Sequence, residues 1–356
     1  MGIKQEPFGN MPDGRAVSLF TLTSKNGMQV RITNFGGIIT SILVPDRKGN
    51  PADITLGYDT FEPYLQNPVF FGAIVGRFAN RIEKAEFELN GTVYKVLKND
   101  GNNHLHGGAE AFHKKLWDAK IITDGGKEKL ELKYRSPDME EGYPGNLDAK
   151  VLYSLDDEGR LSIEYFATTD KETVVNLTNH AYWNLAGHNA GTVLNHTMQI
   201  NAETFTVIND ECIPTGEIKK VEGSPLDLRA PKRIGEGLEM ENVCDQLKYG
   251  HGYDHNFVID RSGPGMVKAA EVYEPDSGRR MCVFTDKPGI QFYSGNFLGG
   301  IPGKGDAVYD RRTGFCLETQ HFPNSTKHKH FPSPVLRPGE LYRFTTVYQF
   351  TADQQA

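Results

Sequence analysis

The sequence predicts an all-β fold: one large antiparallel β-sandwich with a few short helices. Three observations point there. Short segments with apolar residues at every second position recur along the chain. No long window carries the i, i+3, i+4, i+7 apolar stripe of an amphipathic helix. Glycine accounts for 38 of the 356 residues, the supply that many tight turns require.

The segment MQVRITNFGGIITSILVPDRKGN predicts two strands joined at Gly36-Gly37 and ended by a Pro-Asp-Arg-Lys-Gly turn. AEFELNGTVYKVL predicts a hairpin, because Asn90-Gly91 supplies the two positive-φ residues of a type I′ turn. Phe87 and Tyr94 then face each other across its ladder. VLYSLDDEGRLSIEYFATT turns near Asp157–Gly159, and VKAAEVYEPDSGRRMCVFT turns at Pro275–Gly278. In the last strand, Tyr342, Phe344, Thr346, Tyr348 and Phe350 fall on one face. Short helices are expected around Phe61–Leu65 and Lys232–Met240. No composition shift, linker or fixed-period repeat divides the chain, so residues 1–356 are read as a single domain.

The bulk numbers exclude several function classes. The formal net charge is −7, and no Lys/Arg run forms the basic stripe that phosphate backbones need, so nucleic acid is not an expected partner. No segment approaches the roughly 18 unbroken apolar residues of a membrane span. The first residues, MGIKQEPFGN, lack the apolar stretch of a secretory signal. Cys212, Cys244, Cys282 and Cys316 form no CxxC pair, and four cysteines in so long a chain do not suggest a disulfide framework. A soluble cytoplasmic protein, monomer or homodimer, is expected.

The usual phosphate loops, GxxxxGK[ST] and GxGxxG before a helix, are absent, as is the GxSxG elbow of α/β-hydrolases. Histidine remains. In GNNHLHGG, His104 and His106 stand two apart, which on a strand places both on one face. With Glu110 this resembles the first half of a cupin metal motif. The second half is missing, and zinc or iron needs three or four convergent ligands, so no metal is expected. In VVNLTNHAYWNLAGH, His180 lies among Asn176, Thr178, Asn179 and Asn184, with Tyr182 and Trp183 adjacent. Amides for hydroxyls and a ring for a sugar face suit carbohydrate, though a polar strand end reads the same way. In GFCLETQHFPNS, Glu318 follows Phe315-Cys316-Leu317, surroundings that raise a carboxyl's pKa and suit it to act as a base. An edge-strand glutamate facing water fits that segment equally. GRFANRI, HGYDHNF and PGIQFYSGNF add Asn80, Arg81, Asp254, His255 and Gln291.

Taken in order along the chain, GRFANRI, NHLHGG, NLTNHAYWNLAG, YDHNF, PGIQFYSGNF and FCLETQHFPNS resemble the motif set of the aldose 1-epimerase (galactose mutarotase) family. The resemblance spans nearly the whole chain. It implies a large β-sandwich with an open cleft, no cofactor and no metal. It also implies interconversion of the α and β anomers of free aldohexoses, galactose and glucose. Carried over, the base is Glu318 and the acid His106, with His180 as the second pocket histidine. Asn80, Arg81, Tyr182, Asp254 and Gln291 match sugar-contacting positions, and His104 falls where relatives vary. An epimerase of hexose 6-phosphates shares the fold and needs further cations, for which Arg77 is the one candidate. A sugar-binding protein without catalysis would lack the acid or the base.

Overall fold

The computed structural model describes residues 2–353, and every strand ladder among them is antiparallel. The turn residues act where the sequence places them. Asn90 and Gly91 both adopt positive φ between strands Glu86–Leu89 and Thr92–Lys95. Phe87 pairs with Tyr94, their rings stacked with centroids 5.6 Å apart. Gly36 and Gly37 have positive φ between Gln29–Thr33 and Ile39–Pro45. A Cβ on Gly36 would stand 2.3 Å from the carbonyl oxygen of His113, so only glycine fits there. Strands Leu147–Leu155 and Arg160–Thr169, and Val267–Tyr273 and Arg279–Thr285, form the two further hairpins.

Three elements depart from the expectation. Strands Gly2–Asn10 and Ala16–Thr23 pair with each other, although the first shows no clean apolar alternation. It is an exposed edge strand, defined by its neighbour's hydrogen bonds rather than by burial. The helix expected over Lys232–Met240 is one turn, Ile234–Leu238, with Lys232–Arg233 in a strand, and Gly235 and Gly237 weaken it. A second single-turn helix, Asp245–Tyr249, was not anticipated. The helical turn near Phe61–Leu65 is a 3-10 turn, Glu62–Leu65. No helix among the described residues is long and apolar enough to cross a membrane.

Three large sheets make the layers. A nine-stranded sheet runs, in spatial order, Asp118–Asp124, Lys127–Ser136, Leu147–Leu155, Arg160–Thr169, Tyr342–Ala352, Arg279–Thr285, Val267–Tyr273, Thr197–Ile200 and Lys232–Arg233. Against it lie a five-stranded meander from the first 53 residues and a six-stranded sheet. The six-stranded order is Tyr182–Trp183, Phe315–Gln320, Gly289–Tyr293, Asp254–Val258, Thr204–Ile208 and Pro214–Lys220. One apolar core joins the layers, with Val30, Ile39, Val151, Ile163, Met281, Ile290, Phe292 and Leu317 almost fully buried. Polar atoms close the seam too. The Tyr348 hydroxyl donates to the Leu317 carbonyl at 3.0 Å, and that of Tyr153 to Gly37 at 2.7 Å.

Within the six-stranded sheet, Phe315–Gln320 is covered on both faces and buried along its whole length. Alternation then sorts its side chains. Phe315 and Leu317 enter the main core, while Cys316 and Glu318 turn to the other face. Replacing Leu317 by Ala should cost about 2–5 kcal/mol in urea denaturation, since it empties the centre of the sandwich. An unchanged midpoint would show that the layers do not depend on that contact.

Candidate active site

Register builds the floor of the site. Tyr182 pairs with Cys316, Cys316 with Tyr293 and Tyr293 with Asp254, so four adjacent strands present one row. The next row is Glu318, Gln291 and Asn256. Tyr182, Tyr293, Asp254 and Glu318 line a cavity of about 290 Å³, together with Asn80, Arg81, Asp100, His106, His180 and Phe70. That volume sits at the small end of ligand pockets, the size for a monosaccharide. Gln291 was expected to touch sugar. It is not among the cavity-lining residues but sits beside them, donating to Asp254 Oδ1 at 2.7 Å and accepting from Gln320 at 3.2 Å. Trp183, one residue from Tyr182, points into the core, its ring 4.9 Å from that of Tyr348.

Strained loops supply the walls. Arg81–Ile82 pairs with His104–Leu105, and the pairing stops there because His106 takes positive φ, followed by Gly107 and Gly108. A Cβ on Gly107 would lie 2.0 Å from the Gly76 carbonyl oxygen. Only glycine lets this turn pass, and the turn swings His106 toward the cavity. Phe70, also at positive φ, sets its ring 4.8 Å from His106 and 5.8 Å from His180. Pro68, Val69, Phe70, Asp100, Tyr293 and Phe297 line the cavity without having been picked out from sequence. Pro68, Val69 and Phe70 lie in a loop outside every quoted motif, while Tyr293 and Phe297 lie inside PGIQFYSGNF without a polar group that singles them out beside Gln291.

The two histidines of HLH therefore do not share a face. His104 is fully buried, paired with Ile82 and with its ring 5.5 Å from that of Tyr143. Its Nδ1 meets the Leu97 carbonyl at 2.6 Å and its Nε2 the Tyr143 hydroxyl at 2.6 Å. A carbonyl only accepts, so Nδ1 bears the proton and Tyr143 donates to Nε2. Burial pushes this imidazole down to about 4. His104 is a structural residue, and Glu110 is an exposed partner of Lys114.

His106 shows the opposite arrangement. The Asn80 backbone N–H donates to its Nδ1 at 3.1 Å, and the His106 N–H donates back to the Asn80 carbonyl at 3.1 Å. An Nδ1 that accepts a hydrogen bond cannot hold a proton, so the proton of the neutral ring sits on Nε2. Burial, then His180 and Arg81, hold His106 well below the usual imidazole range. The Asn80 side-chain oxygen accepts from the Arg81 N–H at 2.8 Å, which leaves its amide group for a ligand.

His180 is anchored by backbone bonds from its N–H to Ala73 and from the Gly72 N–H to its carbonyl. Its Nε2 lies 3.7 Å from Glu318 Oε1, and its Nδ1 lies 3.6 Å from the Cys316 sulfur. Burial lowers His180 to about 4. Burial, then the charge of Asp254, raises Glu318 well above the ordinary carboxylate range, and Arg81 opposes this. Glu318 Oε2 is buried and finds no hydrogen-bond partner among the described residues. Asp254 is itself raised by burial, against Arg81 and Gln291. Arg81 Nε donates to Asp100 at 2.7 Å and Nη1 lies 3.5 Å from Asp254.

His106, His180 and Glu318 converge closely enough to suggest a metal centre. The donor set does not fit one. A metal-bound histidine offers a bare nitrogen and donates its other N–H to an acceptor. His106 meets a donor at Nδ1 and carries its hydrogen on the nitrogen that would face the ion. In nitrogen-15 NMR, His106 should show the Nε2–H tautomer and remain neutral through pH ~6.5, where a free imidazole titrates. A titration there would break the assignment.

The comparisons with known proteins agree with this geometry. A family profile described as aldose 1-epimerase matches residues 18–349. The chain is 42% identical to the galactose mutarotase of Sus scrofa over 353 residues, covering 99% of each chain. It is 38% identical to the aldose 1-epimerase of Escherichia coli strain K12 over 344 residues, 96% of this chain and 97% of that one. The crystal structure of an aldose epimerase homologue from C. elegans superimposes with a TM-score of 0.86 at 28% identity, over 95% of this chain and 99% of the other.

Proposed function

The chain belongs to the aldose 1-epimerase family, isomerases that interconvert sugar anomers, and we propose that it acts on free aldohexoses, galactose and glucose, by acid–base opening of the pyranose ring. The observation that carries this reading is Glu318. A buried carboxyl oxygen without a donor is costly to keep, and the C1 hydroxyl of a sugar would supply the missing hydrogen bond.

Glu318 takes the proton of the C1 hydroxyl while a histidine gives one to the ring oxygen. The C1–ring oxygen bond breaks, and the C1–hydroxyl oxygen bond becomes the aldehyde carbonyl. Rotation about C1–C2 turns the other face of the carbonyl to the ring oxygen. Reclosure returns both protons and leaves the opposite anomer. The resemblance assigned the acid to His106, with His180 sharing the task. The Asn80 N–H at His106 Nδ1 supports shifting the proton transfer to His180, because His106 has no site for a second proton. His106 then contributes a fixed Nε2–H hydrogen bond to a sugar oxygen. Arg81, Asp254, Asn80 and Tyr182 hold hydroxyls and the ring face, keeping the reacting atoms aligned. Gln291 orients Asp254. The aldehyde needs no electron sink, so the proposed reaction requires no cofactor.

A neutral sugar suits the charge of the pocket. Three carboxyls, Asp100, Asp254 and Glu318, stand among the lining residues against one guanidinium, Arg81. Arg77 gives no help with a phosphate. It is 2% exposed and donates to the carbonyls of Ser136, Pro137, Pro144 and Gly145 and to the Ser136 hydroxyl. Glucose 6-phosphate in excess should leave turnover of glucose unchanged.

Polarimetry on fresh α-D-galactose tests the assignment. Glu318→Gln should lose at least ~10²-fold in kcat with its denaturation midpoint retained, and His106→Ala should lose activity where His104→Phe keeps it. Wild-type rates in Glu318→Gln would remove the base. The pH profile is a second test. Burial opposes charge on both Glu318 and His180, so the pair holds one proton over a wide range. It gains a second only near His180's value of about 4, and it loses the shared one only above the ordinary carboxylate range. After subtracting the uncatalysed reaction, kcat should fall on the acid side only as pH approaches about 4, and an acid limb centred near pH ~6.5 would indicate an ordinary imidazole acid instead.

A further inference from the structure

Strand Phe315–Gln320 presents Cys316 and Glu318 two residues apart on one face. Both reach the same imidazole: Glu318 Oε1 lies 3.7 Å from His180 Nε2, and the Cys316 sulfur lies 3.6 Å from Nδ1. The spacing of one strand thus grips both nitrogens of one ring. Cys316 is fully buried in the second apolar cluster, beside Tyr182 and Tyr293, and touches no sugar-facing surface. Its thiol is inert as a nucleophile, because burial, then Glu318 and Asp254, raise it well above the usual thiol range.

We propose that Cys316 is a positioning residue for the reaction, a hydrogen-bond acceptor that keeps a hydrogen on His180 Nδ1 and so leaves Nε2, beside Glu318, as the nitrogen that gives and takes a proton. The proposal rests on the roles given above to Glu318 and His180. A thiol is both a weak donor and a weak acceptor. With His180 neutral, its hydrogen sits on Nδ1 and points at the sulfur, and Nε2 is bare. The second proton arrives at and leaves from Nε2, beside Glu318, while Nδ1–H stays bonded to the sulfur. No proton leaves the sulfur. The contrast with His106 is chemical. Its Nδ1 meets the Asn80 N–H, which only donates, so that ring is held in one form. Two pocket histidines of the same residue type are divided into a fixed donor and a proton carrier by what stands behind each.

The test uses the full-length chain with Cys316→Ala, which removes the acceptor, and Cys316→Ser, which restores one in a smaller atom. With galactose, Cys316→Ala should lower kcat about tenfold with KM within about twofold, and Cys316→Ser should recover to within about threefold of wild type. In nitrogen-15 spectra, the His180 Nδ1 resonance should move in the alanine variant and return toward its original position in the serine variant. The idea is overturned if Cys316→Ala keeps wild-type kcat and an unchanged Nδ1 resonance. It is equally overturned if serine performs no better than alanine, since that order follows from packing alone. Should the alanine variant not fold, Cys316→Val against Cys316→Ser decides by the same ranking. A wild-type chain without mutarotation would sink the functional reading, while the Nδ1 comparison would still decide the contact.

Discussion

The site depends on one constraint: Glu318 sits on a strand whose two faces are both covered. Such a carboxyl has lost its water, and its charge is opposed by burial and by Asp254. Placed on an exposed edge, the same residue would be a weak base with ordinary chemistry. The nine-stranded sheet on one side, and the loops carrying Phe70, Asn80 and His106 on the other, create this condition. The fold thereby shifts this carboxyl without any unusual residue.

Strand regularity and loop strain divide the labour. Period-two alternation sends Phe315 and Leu317 to the core and Cys316 and Glu318 to the site, and it separates Tyr182 from Trp183 in the same manner. Hydrogen bonds in that scaffold hold distances within narrow limits. The opposite wall is built from backbone that side chains rarely adopt, at Phe70, Asn80 and His106. Left-handed conformations cost energy and persist where the surroundings demand them. Here the demand comes from Gly107 against Gly76 and from the paired bonds of Asn80 with His106. A flexible loop could not hold an imidazole in one tautomer.

The lining charges are largely matched within the cavity itself. Arg81 is held between Asp100 and Asp254, so its positive charge is already matched. What the pocket offers a ligand is directed hydrogen bonding, with aromatic and aliphatic surface from Phe70, Tyr182 and Tyr293. A hydroxylated, uncharged ring matches that offer. Arg77 illustrates the limit of counting charges in a sequence. Its guanidinium is spent on backbone oxygens 59 to 68 residues away, pinning a loop.

Local physics was legible in the residues themselves. Asn90-Gly91, Gly36-Gly37 and the alternating final strand read correctly, because turn geometry and burial of one face act over a few residues. The all-β class followed from the same signals, and the order of the motifs located Asn80, Arg81, His106, His180, Tyr182, Asp254 and Glu318, which tertiary structure gathers into one cavity. What lay beyond the sequence was direction. The His104–Leu105–His106 spacing implied a shared face, but a left-handed residue ended the strand one position early and sent His104 to Tyr143. Gln291 belongs to the same row as Glu318, and its amide is committed to Asp254, a partnership that strand register alone does not specify. The exposed edge strand Gly2–Asn10 exists through its neighbour's hydrogen bonds. Residue types set what chemistry was available. Only the packed layers decided what each histidine nitrogen faces, the Asn80 N–H at His106 Nδ1 and the Cys316 sulfur at His180 Nδ1.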